Sequence, residues 1–80
     1  MLIEVFGPGC PKCENSAKAA EAFLADRGIQ GTVEKVKDIT KFAARGVMIT
    51  PAIFVDGEKL LAGRVLREKD LAAWVEKHPQ

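Results

Sequence analysis

The hydrophobic period of this chain changes abruptly at one place, and the change limits the folds open to it. Leu2-Ile3-Glu4-Val5-Phe6 is a short, mostly apolar run of β-type residues, ended by Gly7-Pro8-Gly9. It reads as a buried central strand. After Cys10 the apolar positions recur at helical spacing: Cys13, Ala17, Ala20 and Leu24, with Phe23 beside them. Glu14, Lys18, Glu21 and Ala25 line another face, so an amphipathic helix is predicted over Pro11–Arg27. Pro11 suits the first helical turn, where its missing N–H costs nothing, and Gly28 suits the position just past the last turn.

The rest of the chain continues the alternation. Gly31–Val36 reads as a second strand of poor alternation, nearer a sheet edge. Asp38 is a candidate cap for a short helix with Ile39, Phe42 and Ala43 inward and Gly46 ending it. Ala52-Ile53-Phe54-Val55 is a continuous apolar run and so a buried strand. Asp56-Gly57 is a hairpin turn signal with Lys59–Ala62 as the partner strand. Leu71, Trp74 and Val75 mark a last helix over Arg67–Lys77. The order is β-α-β-α-β-β-α: a parallel β-α-β unit closed by an antiparallel hairpin. Both apolar strands read as buried on two sides, so the helices must cover both faces of one small sheet.

With 80 residues the chain holds one domain, residues 1–80, and no second core. Its net charge of +1 comes from mixed signs with no basic stripe, which argues against nucleic acid or a membrane as partner. No signal peptide and no bilayer-spanning run are legible, so a cytoplasmic location is expected. A close cysteine pair in a reducing compartment points to catalysis or metal binding. A structural bridge between Cys10 and Cys13 would close a very small loop and constrain little.

Cys10-Pro11-Lys12-Cys13 puts both thiols at a helix start, where free backbone N–H groups and the helix dipole favour a thiolate at Cys10. Lys12 adds nearby charge, either tuning Cys10 or selecting acidic partner surfaces. Residues three apart share a helix face, so the pair can close into a disulfide. Cys10 is the expected nucleophile and Cys13, facing the core, the resolving thiol. Gly7 and Gly9 would keep the approach to Cys10 open. A proline at a strand start loses no ladder bond, and the Thr50-Pro51 bond is a candidate for cis.

Strand-Gly-x-x-Cys-Pro-x-Cys-helix, then Thr50-Pro51 before a strand, then Val55-Asp56-Gly57 and Gly63, resembles the thioredoxin-fold redoxins over nearly the whole chain. It is similar in particular to the small, glutaredoxin-sized thioredoxin-like proteins of archaea and bacteria. The resemblance implies a four-stranded mixed sheet flanked by three helices, an α/β thioredoxin-like fold. It implies reduction of protein disulfides through a mixed disulfide, with no cofactor of its own. Cys10 matches the nucleophile, Cys13 the resolving cysteine and Pro51 the cis-proline beside them. Thr50 matches the residue whose backbone pairs with bound substrate, and Gly63 a glycine that lets substrate approach. Pro11-Lys12 departs from the Gly-Pro of ordinary thioredoxins, and Gly9 stands where a tryptophan is usual. Ala62-Gly63-Arg64-Val65 replaces the Gly-Gly and Asp pattern of a glutathione site. The implied partners are therefore disulfide-containing proteins and a thioredoxin-reductase-type flavoprotein or ferredoxin-linked reductase, acting on a monomer.

Thioredoxins place a buried Asp at the offset of Glu4, where it assists proton transfer at the resolving cysteine. Glu4 either does the same or leans out to pair with Lys35 or Lys37, since burial without a partner is costly. His78 reads as an exposed tail residue, while Trp74 and the four phenylalanines read as core. Two other functions compete. Small metallochaperones also carry a CxxC before their first helix and bind copper or zinc. Two thiolates are few for a closed zinc site, and that fold ends in a strand and uses no Thr-Pro. An interaction module with the cysteines as a redox sensor is the other; it need not trap mixed disulfides.

Overall fold

A computed structural model describes residues 1–78. Its elements are β1 (Leu2–Phe6), α1 (Pro11–Arg27), β2 (Thr32–Val36), α2 (Ile39–Ala44), β3 (Ala52–Val55), β4 (Glu58–Ala62) and α3 (Glu68–Lys77). The strands form one sheet in the order β2-β1-β3-β4. β1 pairs parallel with β2, and β3 pairs antiparallel with both β1 and β4. The two most apolar runs thus take the centre, and the poorly alternating β2 takes an edge, as its composition predicts.

Strand pleating divides the core into two unequal parts. Ile3, Val5, Ile53 and Val55 point to one face, where Cys13, Ala17, Ala20, Phe23 and Leu24 of α1 and Leu71 and Trp74 of α3 cover them. Phe6, Ala52 and Phe54 point to the other, where, among the described residues, Phe42 of α2 and Val36, Val47 and Ala62 join them. The helices cover both faces, with α2 alone on its side.

Local chemistry fixes the joints. Gly28 ends α1 with φ 63°, and the Ile29 N–H donates to the Leu24 carbonyl at 3.0 Å. Asp56 and Gly57 both have positive φ, the backbone that a two-residue hairpin turn demands. Asp56 Oδ1 also accepts the Leu2 N–H at 2.8 Å, which fastens the hairpin to β1. β4 carries an irregularity at Leu60: Leu61 opposes Ile53, yet Lys59 opposes Phe54. Leu60 and Leu61 consequently both pack toward α1 and α3, and Lys59 is turned to the α2 face.

Two expectations fail in packing. The inward face predicted for α2 is wrong in two of three residues: Ile39 is 73% exposed and Ala43 is exposed, while Phe42 packs on Phe6 with ring centroids 5.9 Å apart. A six-residue helix has too few turns for its spacing to define a face. His78 is no free tail residue. Its ring stacks on Trp74 at 4.2 Å, its Nδ1 lies 3.0 Å from the Trp74 carbonyl, and its Nε2 lies 3.1 Å from Glu58.

Candidate active site

The chain turns from β1 into α1 through Gly7-Pro8-Gly9, and Cys10 stands at the cap of that helix in extended conformation. Pro11 occupies the first turn, so the N–H groups of Lys12 and Cys13 remain at the open end. Cys10 is half-buried and Cys13 is buried; both are free thiols, their sulfurs 2.7 Å apart.

Their surroundings pull them in opposite directions. The Cys10 thiol lies below the ordinary thiol value, lowered first by the hydrogen bond with the Cys13 thiol. The backbone N–H groups of Cys13 and then Lys12 lower it further. Burial pushes the Cys13 thiol up, and its bond with Cys10 adds to the rise. Cys10 is accordingly the first of the pair to ionise, and Cys13 stays protonated as the donor to it. Lys12 is exposed and contributes through its backbone N–H. The lysine that reaches the turn is Lys37: a Cβ added to Gly9, whose φ is +93°, would stand 3.5 Å from Lys37 Nζ.

Gly7 has a different role from the expected one. It is buried, and a Cβ built on it would overlap Cys13 Sγ and stand 4.0 Å from Thr50 Cβ. The missing side chain makes room for the Cys13 sulfur rather than for access to Cys10. The same contact shows that Thr50 lies across from Cys13. The Thr50–Pro51 peptide bond is cis, Pro51 is fully buried, and its carbonyl accepts the Gly63 N–H at 2.9 Å. Gly63 is exposed with φ +87°, and a Cβ there would press on Ile49 at 3.3 Å. Cys10, Cys13, Thr50, Pro51 and Gly63 thus converge at one end of the sheet.

Glu4 does not join them. It is buried opposite Phe54 on the α2 face of β1, whereas Cys13 packs with Ile3 and Val5 on the other face. Its oxygens accept a two-pronged bond from Arg45, at 2.8 and 3.1 Å, and not from Lys35 or Lys37. Lys35 pairs instead with Glu14 at 3.3 Å. A carboxylate on the far side of the sheet cannot pass a proton to Cys13, which corrects that reading. Ser16 is a residue that sequence reasoning missed. Fully buried in the stripe of α1, it donates to the Lys12 carbonyl and accepts the Leu66 N–H at 2.9 Å. Its spacing from Cys13 and Ala20 was the available signal.

A sheet of this order with an unequal thiol pair at the cap of its first helix and a cis-proline across from it defines a small dithiol redox protein of thioredoxin fold. The chain belongs to the thioredoxin-domain family, whose model matches residues 1–76. It is 31% identical over 71 residues to a thioredoxin of Methanothermobacter thermautotrophicus, covering 89% of this chain and 92% of that one. It is 29% identical over 65 residues to a thioredoxin of Methanocaldococcus jannaschii, covering 81% and 74%. Its fold is similar to that of reduced Escherichia coli glutaredoxin, with TM-score 0.60, 25% identity, and 98% and 96% of the two chains covered. The oxidised form of that glutaredoxin gives a TM-score of 0.58 at 27% identity, over 99% and 98%. The protein is a thioredoxin-like thiol–disulfide oxidoreductase. Among the described residues no three His, Cys, Asp or Glu side chains gather together, and the relatives reported are thioredoxins, which gives the metal-carrier reading no support. Among the described residues no helix is long and apolar enough to cross a membrane.

Proposed function

We propose that residues 1–80 act as one domain that reduces protein disulfides, with Cys10 as nucleophile and Cys13 as resolving thiol. The observation that carries this assignment is the opposite shift of two sulfurs 2.7 Å apart, one half-buried and low, the other buried and high. The Cys10 thiolate attacks one sulfur of the substrate cystine, and the other sulfur leaves as a thiolate that takes up a proton. Cys13 then loses its proton and attacks Cys10 Sγ, which releases the second substrate thiol. Two electrons pass from the dithiol to the substrate, and Cys10–Cys13 is left as the disulfide.

Thr50, Pro51 and Gly63 form the surface on which the substrate strand lies. Their convergence beside the thiols, with the Pro51 carbonyl holding Gly63, supports that role. Lys12 acts as a weak electrostatic selector. A cytoplasmic monomer serving electron transport and redox homeostasis fits the unequal, reducing pair. A thioredoxin-reductase-type flavoprotein or ferredoxin-linked reductase recharges it. The test presents the oxidised protein to NADPH with thioredoxin reductase, to glutathione with its reductase, and to a ferredoxin-linked reductase. Disulfide reduction should return with the first or third; if none restores it, the assignment fails. A Cys13→Ser variant should accumulate mixed disulfides with protein partners through Cys10, which a mere sensor need not do.

A further inference from the structure

The single short helix on the α2 face leaves part of β3 and β4 uncovered. A groove of about 360 Å³ runs there, floored by Ala52 and Phe54 and walled by Val47. Neither Cys10 nor Cys13 lines it. Its lip is Met48, 94% exposed, and Ile49, 61% exposed, the two residues before Thr50-Pro51. Large apolar side chains held in water next to a binding surface mark a contact site. The groove is continuous with the redox end of the sheet, because Ile49 Cγ2 is the atom nearest the open side of Gly63.

The charge of the groove is one-sided. Among the described residues two cations line it, Arg45 and Lys59, and no acidic side chain does. Arg45 is committed to Glu4. Lys59 is in no ion pair among the described residues. It reaches this face only because the irregularity at Leu60 reverses the pleat, and such bulges commonly re-aim a side chain next to a functional site. An apolar floor, an apolar lip and one free ammonium suit a segment that carries an apolar residue and a carboxylate.

We propose that the groove seats an acidic-apolar segment of the protein substrate, apolar side chain on Phe54 and carboxylate on Lys59, while the substrate's cystine sits at Cys10. The proposal rests on the disulfide-reductase reading and adds a substrate class to it. A flat thiol site selects little by itself; a second contact beside it adds affinity without touching the chemistry.

The test uses synthetic peptides with one cysteine in disulfide linkage to a small reporter thiol. One series carries Leu-Asp at stepped distances on either side of the cysteine, a second carries Leu-Lys and a third Ser-Ser. The reduced protein should reduce the best Leu-Asp peptide roughly fivefold faster than its Leu-Lys counterpart, the size one partly exposed charge contact supplies. High salt should shrink that ratio, and Lys59→Glu should reverse it. A Leu-Asp peptide with Ser for Cys should shift the amide resonances of Val47, Phe54 and Lys59. An unchanged preference in Lys59→Glu, or shifts elsewhere, would overturn the groove while reduction of the reporter disulfide leaves the reductase reading standing. If no disulfide at all is reduced, that reading falls and the groove with it. A concentration-dependent dimer that shields Met48 would overturn the proposal in favour of a second copy of this chain.

Discussion

At the scale of single residues, two identical thiols are made unequal by position alone. Cys10 is lowered first by what Cys13 donates, so the buried sulfur also tunes the half-buried one. Cys13→Ala removes that donor, and the pH profile of Cys10 alkylation should move to higher pH, with slower labelling at neutral pH. Cys13→Ser keeps a donor and should move it less. Profiles for both variants equal to the parent's would show that the helix N–H groups act alone. The pair, the unequal surroundings of its two sulfurs and Thr50-Pro51 were legible because their signals are local: a spacing, a period change, a proline before an apolar run. Glu4 was not, because its partner Arg45 lies 41 positions away. Nor was the role of Gly7, since the sulfur it accommodates is brought back onto it by the first turn of α1.

Elements hold this fold together through a few polar ties. Asp70 lies in the first turn of α3, where its Oδ2 accepts the Arg67 N–H at 2.9 Å, and it also takes a two-pronged bond from Arg64. Arg64 first, then the Arg67 N–H, holds the Asp70 carboxyl below the ordinary Asp value. A lowered folded-state pKa stabilises at pH above the unfolded Asp value, near ~4, and is lost as pH falls through the folded value. Asp70→Asn removes the charge that pairs with the half-exposed Arg64 and should cost about 0.5–1 kcal/mol at neutral pH, and the deficit against the parent should close in strong acid, as read from urea unfolding at stepped pH. Ser16 ties α1 to the segment before α3. Ser16→Ala orphans the buried Leu66 N–H and should cost about 1–3 kcal/mol in the same measurement. Element existence was legible throughout, and bounds to within a residue or two: α1 spans Pro11–Arg27 as its stripe predicts, β2 and α3 each start one residue later than expected, at Thr32 and Glu68, and β4 one earlier, at Glu58. The facing of α2 was not, because six residues carry too little period to reveal which side is buried.

Across the whole molecule, the sheet divides the protein into a deep apolar side and a shallow one. The deep side carries Cys13 and is packed by two helices. The shallow side has three buried apolar residues, Phe6, Ala52 and Phe54. Arg45 roofs it, with its guanidinium 4.8 Å from the Phe54 ring and 5.4 Å from Phe6, held by Glu4 beneath. The radius of gyration is 11.6 Å, what a compact chain of this length requires. On the shallow side the Glu4–Arg45 pair covers the part over Phe6 and Phe54. Removing Arg45 alone leaves a buried carboxylate without a partner. Arg45→Ala should destabilise by about 1–3 kcal/mol, less than a fully buried pair would, because the arginine side chain is 34% exposed. The double variant Glu4→Leu, Arg45→Met replaces charge by apolar volume and should return to within about 1 kcal/mol of the parent. Because the sheet separates Glu4 from Cys13, the double variant should also resolve mixed disulfides with the parent's pH profile. A shift of that profile would mean that the carboxylate reaches the thiol after all, and that the two sides of the sheet are not chemically separate.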